Sequence, residues 1–274
     1  MIAEKKFEHY QESADFILDK IKIKPEIAII LGTGLETLLD EIEDKIEIEY
    51  KDVPNFLIST VKSNGGKFIF GRLSGKYIIC MTKRFHYYEG YEYSELATPV
   101  YVLKLLRIKT LILTNASGAI NYNFHPGDIC LITDHINFAG VSPTRGNNIN
   151  EFGERFYPID NLYDENLRKL TQNLALEMGI ELKEGVYFFT VGPFFESPSE
   201  IRAIRLLGGD LVGMSTITET LTAAHCDIKV LAISVATNYS SDRIKNMDGS
   251  EVEEVAKDVS PKLKSLIVKV VEEL

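Results

Sequence analysis

Short apolar runs typical of β-strands alternate with amphipathic segments typical of helices along most of this chain. In the second half, the predicted strands cover residues 110–114, 128–134, 185–191, 210–213 and 228–237, and the predicted helices cover residues 161–178, 198–207, 216–225 and 250–273. The first half adds a helix over 7–21, a strand over 27–31, a hairpin of strands over 67–73 and 76–82, and a helix over 94–107. This alternation predicts an α/β fold in which helices flank a sheet.

Length and composition predict a single domain. The chain has 274 residues, of which 45% are hydrophobic, so it can bury a substantial core and lies near the upper size for one domain. No linker rich in Pro, Gly or Ser, no low-complexity tract and no repeat of fixed period divides it. We therefore expect residues 1–274 to form one domain.

Charge and cysteine content argue against several classes of protein. The chain has 30 basic and 40 acidic residues and a net charge of −10, so no basic surface is available for DNA or RNA. Cys80, Cys130 and Cys226 lie in apolar runs without the spacing of a zinc site, which indicates buried, reduced thiols. The first twenty residues are charged throughout, and no apolar stretch reaches the roughly 18 residues that span a bilayer. We predict a cytoplasmic protein that binds neither nucleic acid nor membranes.

The sequence Gly32-Thr33-Gly34 directly follows the first predicted strand. Ligands of α/β sheets bind at the carboxyl ends of strands, so the backbone amides here and the Thr33 hydroxyl could hold a phosphate. The segment also resembles the start of a dinucleotide-binding fingerprint, with Glu49 at a plausible distance for a ribose, but Thr37 occupies the place of the third glycine. A dehydrogenase is therefore the weaker interpretation. Hydrolysis of nucleoside triphosphates has no support, because the sequence contains no GxxxxGK[ST] motif.

Two further strand ends carry polar and small residues. Arg84 and His86 are two positions apart, so their side chains can share one face of a strand and converge on an anion. Glu89 is close enough to orient His86 and hold its charge state, and the loop around Tyr88 is too aromatic for a solvated turn. Residues 115–118 are small enough for a ligand to approach the backbone, although by themselves they favour an ordinary tight turn.

The segments GPFFES at 192–197 and GMST at 213–216 follow two later predicted strands. They bring an aromatic ring, a carboxylate and a hydroxyl, those of Phe195, Glu196 and Ser215, to the mouth of the sheet. A purine needs a stacking face and in-plane hydrogen-bond partners, which Phe195 and Glu196 supply. The combination indicates a site for a flat heterocycle beside an anion.

These motifs, in this order, resemble the purine nucleoside phosphorylases of the trimeric type from about residue 27 to the start of the last helix. The resemblance implies a mixed, twisted and partly barrel-like sheet flanked by helices, and a cyclic homotrimer. The implied phosphate-binding residues are Thr33, Arg84, His86, Ala116 and Ser215; the ribose-binding residues are Tyr88, Met214 and Val252; and the purine-binding residues are Phe195, Glu196, Asn238, Tyr187, Val212 and Phe152 from the neighbouring subunit. The implied catalytic residues are His86, Asn238, Glu196 and Glu89.

The base-binding residues indicate which purine is bound. An ionised Glu196 accepts a hydrogen bond from N1–H of hypoxanthine or guanine, whereas N1 of adenine is itself an acceptor. Asn238 can donate to N7 or O6 and stabilise charge on the departing base, whereas the related methylthioadenosine phosphorylases carry aspartate there. The resemblance therefore implies reversible phosphorolysis of inosine, guanosine and their deoxy forms in purine salvage. Inorganic phosphate is the co-substrate, and no metal or organic cofactor is expected.

Two other functions remain open. Val252 stands where the family has a histidine that meets the ribose 5′-hydroxyl, which mildly favours an adenosine- or methylthioadenosine-type phosphorylase, whereas Asn238 and Glu196 disfavour it. Because valine cannot hydrogen-bond, tolerance of 5′-deoxy and 5′-thio nucleosides is predicted. A non-catalytic nucleoside-binding module on the same fold is the other alternative, although Arg84, His86 and Asn238 together argue against it.

Overall fold

Within residues 6–60, 65–244 and 249–274, which the computed structural model describes, nine strands form one mixed sheet. The strands are β1 (Ile27–Ile30), β2 (Glu43–Glu49), β3 (Lys67–Leu73), β4 (Lys76–Met81), β5 (Thr110–Ala119), β6 (Ile129–Ile136), β7 (Leu182–Phe189), β8 (Leu211–Gly213) and β9 (Lys229–Tyr239). Their order across the sheet is β2-β3-β4-β1-β5-β8-β7-β6-β9.

Part of this sheet closes on itself. Strand β5 pairs in parallel with β1 on one side and with β9, the last strand of the order, on the other, and its end also pairs with β8. Strands β5, β8, β7, β6 and β9 therefore form a closed ring, from which β1, β4, β3 and β2 extend as an open sheet. The prediction of an α/β fold with a mixed, partly barrel-like sheet flanked by helices is confirmed.

Six α-helices pack around the sheet in the described part of the chain. They are α1 (Phe7–Lys20), α2 (Thr98–Leu105), α3 (Glu165–Glu177), α4 (Pro198–Leu206), α5 (Ile217–His225) and α6 (Gly249–Glu273). The start of α4 is fixed by a capping box, because Ser197 Oγ accepts from the Glu200 N–H at 3.3 Å and Glu200 Oε2 accepts from the Ser197 N–H at 2.7 Å. This cap directly follows Glu196 and so fixes the direction in which the chain leaves the predicted base pocket.

The helices cover the two faces of the sheet with separate apolar clusters. The apolar stripe of α6 buries Leu263, Leu266 and Val270 against Ile29 and Ile233 of the sheet. On the other face, α1, α2 and α5 pack into a second cluster over β4, β5 and β9. Among the described residues, no helix combines the length and the apolar character needed to cross a bilayer.

Two local features differ from the sequence-based expectations. Strand β2 was not predicted, because its sequence EDKIEIE is mostly charged and it lies at the edge of the sheet with Ile48 as its one fully buried side chain. The tight turn expected at residues 115–118 is wrong, since β5 continues to Ala119 through its pairing with β9. The Ser117 and Ser234 hydroxyls lie 2.7 Å apart across that pair and satisfy each other inside the sheet.

Candidate active site

A cavity of about 670 Å³ opens at the carboxyl ends of β1, β5, β8 and β9. This volume is in the usual range for a site that takes a small molecule. Twelve of the residues predicted for the site line it: Thr33, Arg84, His86, Tyr88, Ala116, Phe195, Glu196, Val212, Met214, Ser215, Asn238 and Val252. Three predicted residues, Glu89, Phe152 and Tyr187, are not part of its wall.

Arg84 is held rigidly at one end of this cavity although it is only 8% exposed. Its Nε donates to Glu219 Oε1 at 3.0 Å, and its Nη1 donates to the Thr114 carbonyl at 2.7 Å and to Ser215 Oγ at 3.3 Å. Its Nη2 is buried and has no hydrogen-bond partner among the residues that the structure describes. A buried donor without a partner is costly, so a guanidinium fixed in this way is prepared for an anion in the cavity.

His86 is oriented by a buried carboxylate. Glu89 Oε1 accepts from the His86 backbone N–H at 2.8 Å and lies 3.1 Å from His86 Nδ1, while Glu89 Oε2 accepts from Ser59 Oγ and the Thr60 N–H, both at 2.9 Å. Burial alone would raise the pKa of Glu89, but the hydrogen bonds from His86, Thr60 and Ser59 outweigh it and lower the pKa to about 2. The ionised Glu89 therefore keeps the proton on Nδ1 and leaves Nε2 as the ring nitrogen available to a ligand.

The backbone at Gly32 packs closely against Thr114 of β5. The Gly32 N–H donates to Thr114 Oγ1 at 2.8 Å, and a Cβ at Gly32 would lie 2.6 Å from the Thr114 carbonyl oxygen. Only glycine fits at that contact. Because this contact with β5 fixes the backbone at Gly32, it also fixes the position from which the next residue, Thr33, reaches the cavity.

Ser215 is presented by a strained turn between β8 and α5. Thr216 has a φ of +77°, which is uncommon for a β-branched residue and places strain of about 1–3 kcal/mol in the turn. The fully buried Thr216 hydroxyl compensates by accepting from Asn115 Nδ2 at 2.8 Å. Tyr187 lies behind the turn and accepts from the Ser215 N–H at 3.3 Å. The prediction that Tyr187 lines the purine pocket is wrong, because its side chain is completely buried beneath Ser215.

Glu196 is 8% exposed and belongs to a second group of wall residues, with Phe195 and Asn238, which we call the base end of the cavity. Its Oε1 accepts from Thr190 Oγ1 at 2.7 Å, and its backbone carbonyl accepts from Ser241 Oγ at 2.6 Å. Burial raises the pKa of Glu196, although the Thr190 hydrogen bond opposes that shift. The neighbouring Phe195 ring is 45% exposed and supplies an apolar face at the same end of the cavity.

The Asn238 side chain lies at the end of β9 and is 6% exposed. Its Oδ1 accepts from Thr237 Oγ1 at 3.1 Å, and its Nδ2 donates to the Tyr239 carbonyl at 3.0 Å. These contacts orient the amide and use one of its two N–H groups, so the second is available to a ligand. A Cβ at Gly118 would lie 3.3 Å from Asn238 Nδ2, which shows how closely β5 approaches this amide.

Less polar groups also line the cavity. The Tyr88 ring stacks on His86 with a centroid distance of 4.7 Å and an interplanar angle of 12°. Met214 packs so closely on Gly192 that a Cβ there would lie 2.3 Å from Met214 Sδ. Val252 reaches the cavity from the first turn of α6 and brings no hydrogen-bonding group to it.

Comparison with known proteins identifies the family. A profile of the Phosphorylase superfamily matches residues 26–272. Purine nucleoside phosphorylase 1 from Geobacillus stearothermophilus is 44% identical over 231 residues, which are 84% of this chain and 84% of that protein. Purine nucleoside phosphorylase from Bos taurus is 40% identical over 271 residues, with 95% of this chain and 93% of that protein covered. The chain belongs to the purine nucleoside phosphorylase family. The family and the enzyme class predicted from the sequence are thereby confirmed.

Solved structures of this family share the fold. Purine nucleoside phosphorylase from Schistosoma mansoni in complex with inosine has a TM-score of 0.94 and 37% identity, and the match covers 98% of this chain and 97% of that chain. The same enzyme in complex with adenosine has a TM-score of 0.93 and 37% identity, with 98% of both chains covered. Membership of the phosphorylase family therefore does not by itself decide between 6-oxopurine and adenine nucleosides.

The phosphorylase loop that was predicted to close a neighbouring active site contains two phenylalanines. Phe152 is 3% exposed and stacks on Tyr101 of its own chain, with ring centroids 4.1 Å apart and an interplanar angle of 15°. In the single chain the Phe152 ring thus packs in the core of its own chain, and its assignment to a neighbour's site stays a prediction. Phe156 is 89% exposed and is the phenylalanine that this loop presents outward.

Sequence reasoning missed two side chains that hold site residues of this phosphorylase. Glu219 binds Arg84 from 135 positions further along the chain, and Thr190 holds Glu196 from the end of β7. A carboxylate on a helix and a threonine after a strand carry no distinctive pattern of their own. The one signal in the sequence is position, since Glu219 follows GMST by three residues and Thr190 precedes GPFFE by two.

Proposed function

We propose that this phosphorylase catalyses the reversible phosphorolysis of 6-oxopurine nucleosides. The substrates are inosine, guanosine and their deoxy forms, and the products are the free base and ribose 1-phosphate or deoxyribose 1-phosphate. The observation that supports this specificity most directly is the buried Glu196 carboxylate, which shares one cavity with the Asn238 amide and the unpartnered Arg84 Nη2. The reaction as proposed needs no metal or organic cofactor.

Phosphate is proposed to bind at the Arg84 end of the cavity. Arg84 Nη2 and the His86 Nε2 edge contribute side-chain contacts, and Thr33, Ala116 and Ser215 complete the anion site. A phosphate oxygen then forms a bond to C1′ while the C1′–N9 bond breaks and its electron pair moves to the purine. The transition state resembles an oxocarbenium ion, so the bound phosphate dianion stabilises the positive charge that develops on the sugar.

The base is proposed to leave from the Glu196 end. Glu196 accepts the N1–H hydrogen bond, and the free N–H of Asn238 donates to N7 or O6 as negative charge develops on the purine. Phe195 packs on the base, and Tyr88, Met214 and Val252 surround the ribose. An adenine in the same position would place its N1 acceptor against the buried carboxylate, which penalises adenosine.

One assay tests this function against its alternatives. The protein is incubated with inosine, guanosine, adenosine or methylthioadenosine, with and without phosphate, and the free base is measured. We expect phosphate-dependent release from inosine and guanosine. Release from none of the four, with nucleoside binding retained in calorimetry, would identify a binding module instead. Release chiefly from the two adenine nucleosides would reverse the specificity.

Adenosine is the second candidate substrate, because the Schistosoma mansoni relative has been solved with adenosine bound. In this chain, burial raises the pKa of Glu196, and a protonated carboxyl could donate to N1 of adenine. Adenosine turnover that increases as the pH is lowered would support this candidate.

We further propose a cyclic homotrimer in which Phe156, in place of Phe152, closes the active site of the neighbouring subunit. Its 89% exposure in the loop that the family resemblance assigns to this role supports the change.

Light scattering should give three times the chain mass of 30.9 kDa. Phe156→Ala should weaken nucleoside binding without lowering thermal stability, whereas Phe152→Ala should lower stability because it removes a core ring. Equal KM values in Phe156→Ala and the wild type would contradict the proposal.

A further inference from the structure

The purine end of the cavity contains a hydrogen bond that uses one of the two oxygens of Glu196. Thr190 Oγ1 donates to Glu196 Oε1 at 2.7 Å, while the Gly213 carbonyl, the alternative acceptor for the same proton, is 3.5 Å away. A charge-assisted bond of this length is among the stronger hydrogen bonds in proteins. The hydroxyl proton is therefore committed to the carboxylate.

Thr190 contacts the Glu196 carboxylate from outside the cavity. Glu196 lines the cavity, but Thr190 does not, and Thr190 is anchored to β8 by its N–H, which donates to the Gly213 carbonyl at 2.9 Å. Oε1 is consequently bonded to a residue that lies outside the cavity wall. Oε2 is not used by Thr190, which leaves it to a ligand.

This arrangement matters because the two 6-oxopurines present different donors to a carboxylate. Hypoxanthine offers N1–H alone, whereas guanine offers N1–H and the 2-amino group side by side. Two parallel donors are matched best by both oxygens of one carboxylate, in the way that a guanidinium is. A carboxylate with one oxygen directed to Thr190 satisfies the single donor of hypoxanthine but leaves the 2-amino group without an anionic partner.

We propose that Thr190 is a specificity-determining positioning residue that makes this enzyme prefer inosine over guanosine. The inference rests on the proposed function and adds to it, since it assigns a preference between the two expected substrates. A hydrogen bond to a charged group that is lost or gained changes an equilibrium or rate by roughly three- to tenfold or more. We therefore expect kcat/KM for inosine to exceed that for guanosine by about three- to tenfold.

The test compares wild type, Thr190→Val and Thr190→Ser, with Thr133→Val as the control. Thr133 is a threonine of β6 whose hydroxyl donates to the Gly185 carbonyl at 3.3 Å, away from the cavity. Thr190→Val keeps the shape and removes the donor, so the guanosine-to-inosine ratio of kcat/KM should rise by about three- to tenfold. Thr190→Ser should restore the wild-type ratio, and Thr133→Val should leave it unchanged. KM for phosphate should be the same in all four proteins.

A second readout follows the ionisation of Glu196. The Thr190 hydroxyl stabilises the ionised carboxylate, so Thr190→Val should move the acid limb of kcat/KM for inosine to higher pH, and Thr190→Ser should move it back. A purely structural role would lower both nucleoside activities equally and leave the limb in place, which would overturn the inference. The wild-type ratio of kcat/KM for the two nucleosides tests the inference even if the valine variant does not fold. Equal use of inosine and guanosine by the wild type, or a preference for guanosine, would overturn the inference. Release of base from neither nucleoside would instead overturn the proposed function.

Discussion

At the phosphate end of the cavity, the Arg84 guanidinium is fixed by Glu219, Thr114 and Ser215, whereas at the base end the Phe195 ring remains 45% exposed. The phosphate end is thus organised before any ligand binds, by hydrogen bonds that cross several strands and helices. The base end has one buried carboxylate and one oriented amide beside a partly exposed apolar face. Substitutions at the first end should therefore change phosphate binding and stability together, and substitutions at the second should change substrate choice and rate.

The largest effect is expected from Asn238→Ala at the base end. Removal of a donor that stabilises charge in a transition state typically costs 10²–10³-fold in kcat, so kcat for inosine should fall by roughly that factor. KM for phosphate should stay within about twofold, because Asn238 is proposed to contact the base and not the phosphate. Steady-state phosphorolysis with inosine and phosphate varied in turn measures both constants.

The matched control for this variant is Asn121→Ala. Asn121 also makes a side-chain hydrogen bond, from its Nδ2 to Asp210 Oδ1 at 2.7 Å, but it does not line the cavity. It should retain the wild-type kcat. A decrease of less than about tenfold in Asn238→Ala would show that the leaving base is activated by other groups.

The next largest effect should come from Glu219→Ala at the phosphate end. Loss of one partner from a buried ion pair costs about 3–5 kcal/mol of stability, and Arg84 also loses the contact that fixes its Nε. KM for phosphate should rise by roughly 10- to 100-fold while KM for inosine changes little, since one or two charge-assisted hydrogen bonds are misaligned. Glu219→Gln keeps an oxygen that can accept from Arg84 Nε, so its losses of stability and of phosphate affinity should both be smaller.

Glu184→Ala provides the control for Glu219. Glu184 pairs with Arg168 at 3.1 Å, but the pair is partly exposed and does not line the cavity. Its removal should cost at most about 1 kcal/mol and leave both KM values unchanged. If Glu219→Ala raised both KM values equally, the two ends of the cavity would not be independent.

The contrast between the two ends also explains what could be predicted from the sequence. Arg84, His86, Glu196 and Asn238 follow strand-like runs, and the carboxyl ends of strands meet at one edge of a sheet, so their proximity could be predicted. Glu219 could not, because its role depends on a contact with Arg84 across 135 residues that no local pattern encodes. At the base end, the kinds of side chain that contact a purine could be predicted from the sequence. The positions of these side chains and the hydrogen bonds that hold them could not.

Three individual cases show the same limit of what a sequence reveals. Tyr187 and Phe152 have the aromatic character that a purine site needs, but the structure buries both beneath other residues. A sequence does not show which of two nearby phenylalanines, Phe152 or Phe156, faces outward. Strand β2 was missed because edge strands tolerate charge, so hydrophobic alternation is weak there.

A moderate effect is expected from pH at the base end. Burial raises the pKa of Glu196 above its ordinary value of 4.5, and the ionised form is needed to accept from N1–H. Glu196 becomes protonated as the pH falls through this raised pKa, so kcat/KM for inosine should decrease about tenfold per pH unit. Turnover of adenosine should increase relative to turnover of inosine over the same range. Glu196→Gln cannot titrate, so this part of the acid limb should be absent from its profile. Parallel profiles for the wild type and Glu196→Gln would show that a group other than Glu196 controls the limb.

The smallest effect concerns the sugar, between the two ends. Val252 brings no hydrogen-bonding group to the cavity, so kcat/KM for 5′-deoxyinosine should lie within about threefold of that for inosine. Val252→His adds a donor or acceptor beside the 5′-position and should raise the preference for inosine by about three- to tenfold, while Val252→Ala should leave it unchanged. A strong preference of the wild type for inosine would mean that another group binds the 5′-hydroxyl. Val252 would then be only part of the cavity wall, and the predicted tolerance of 5′-deoxy nucleosides would be lost.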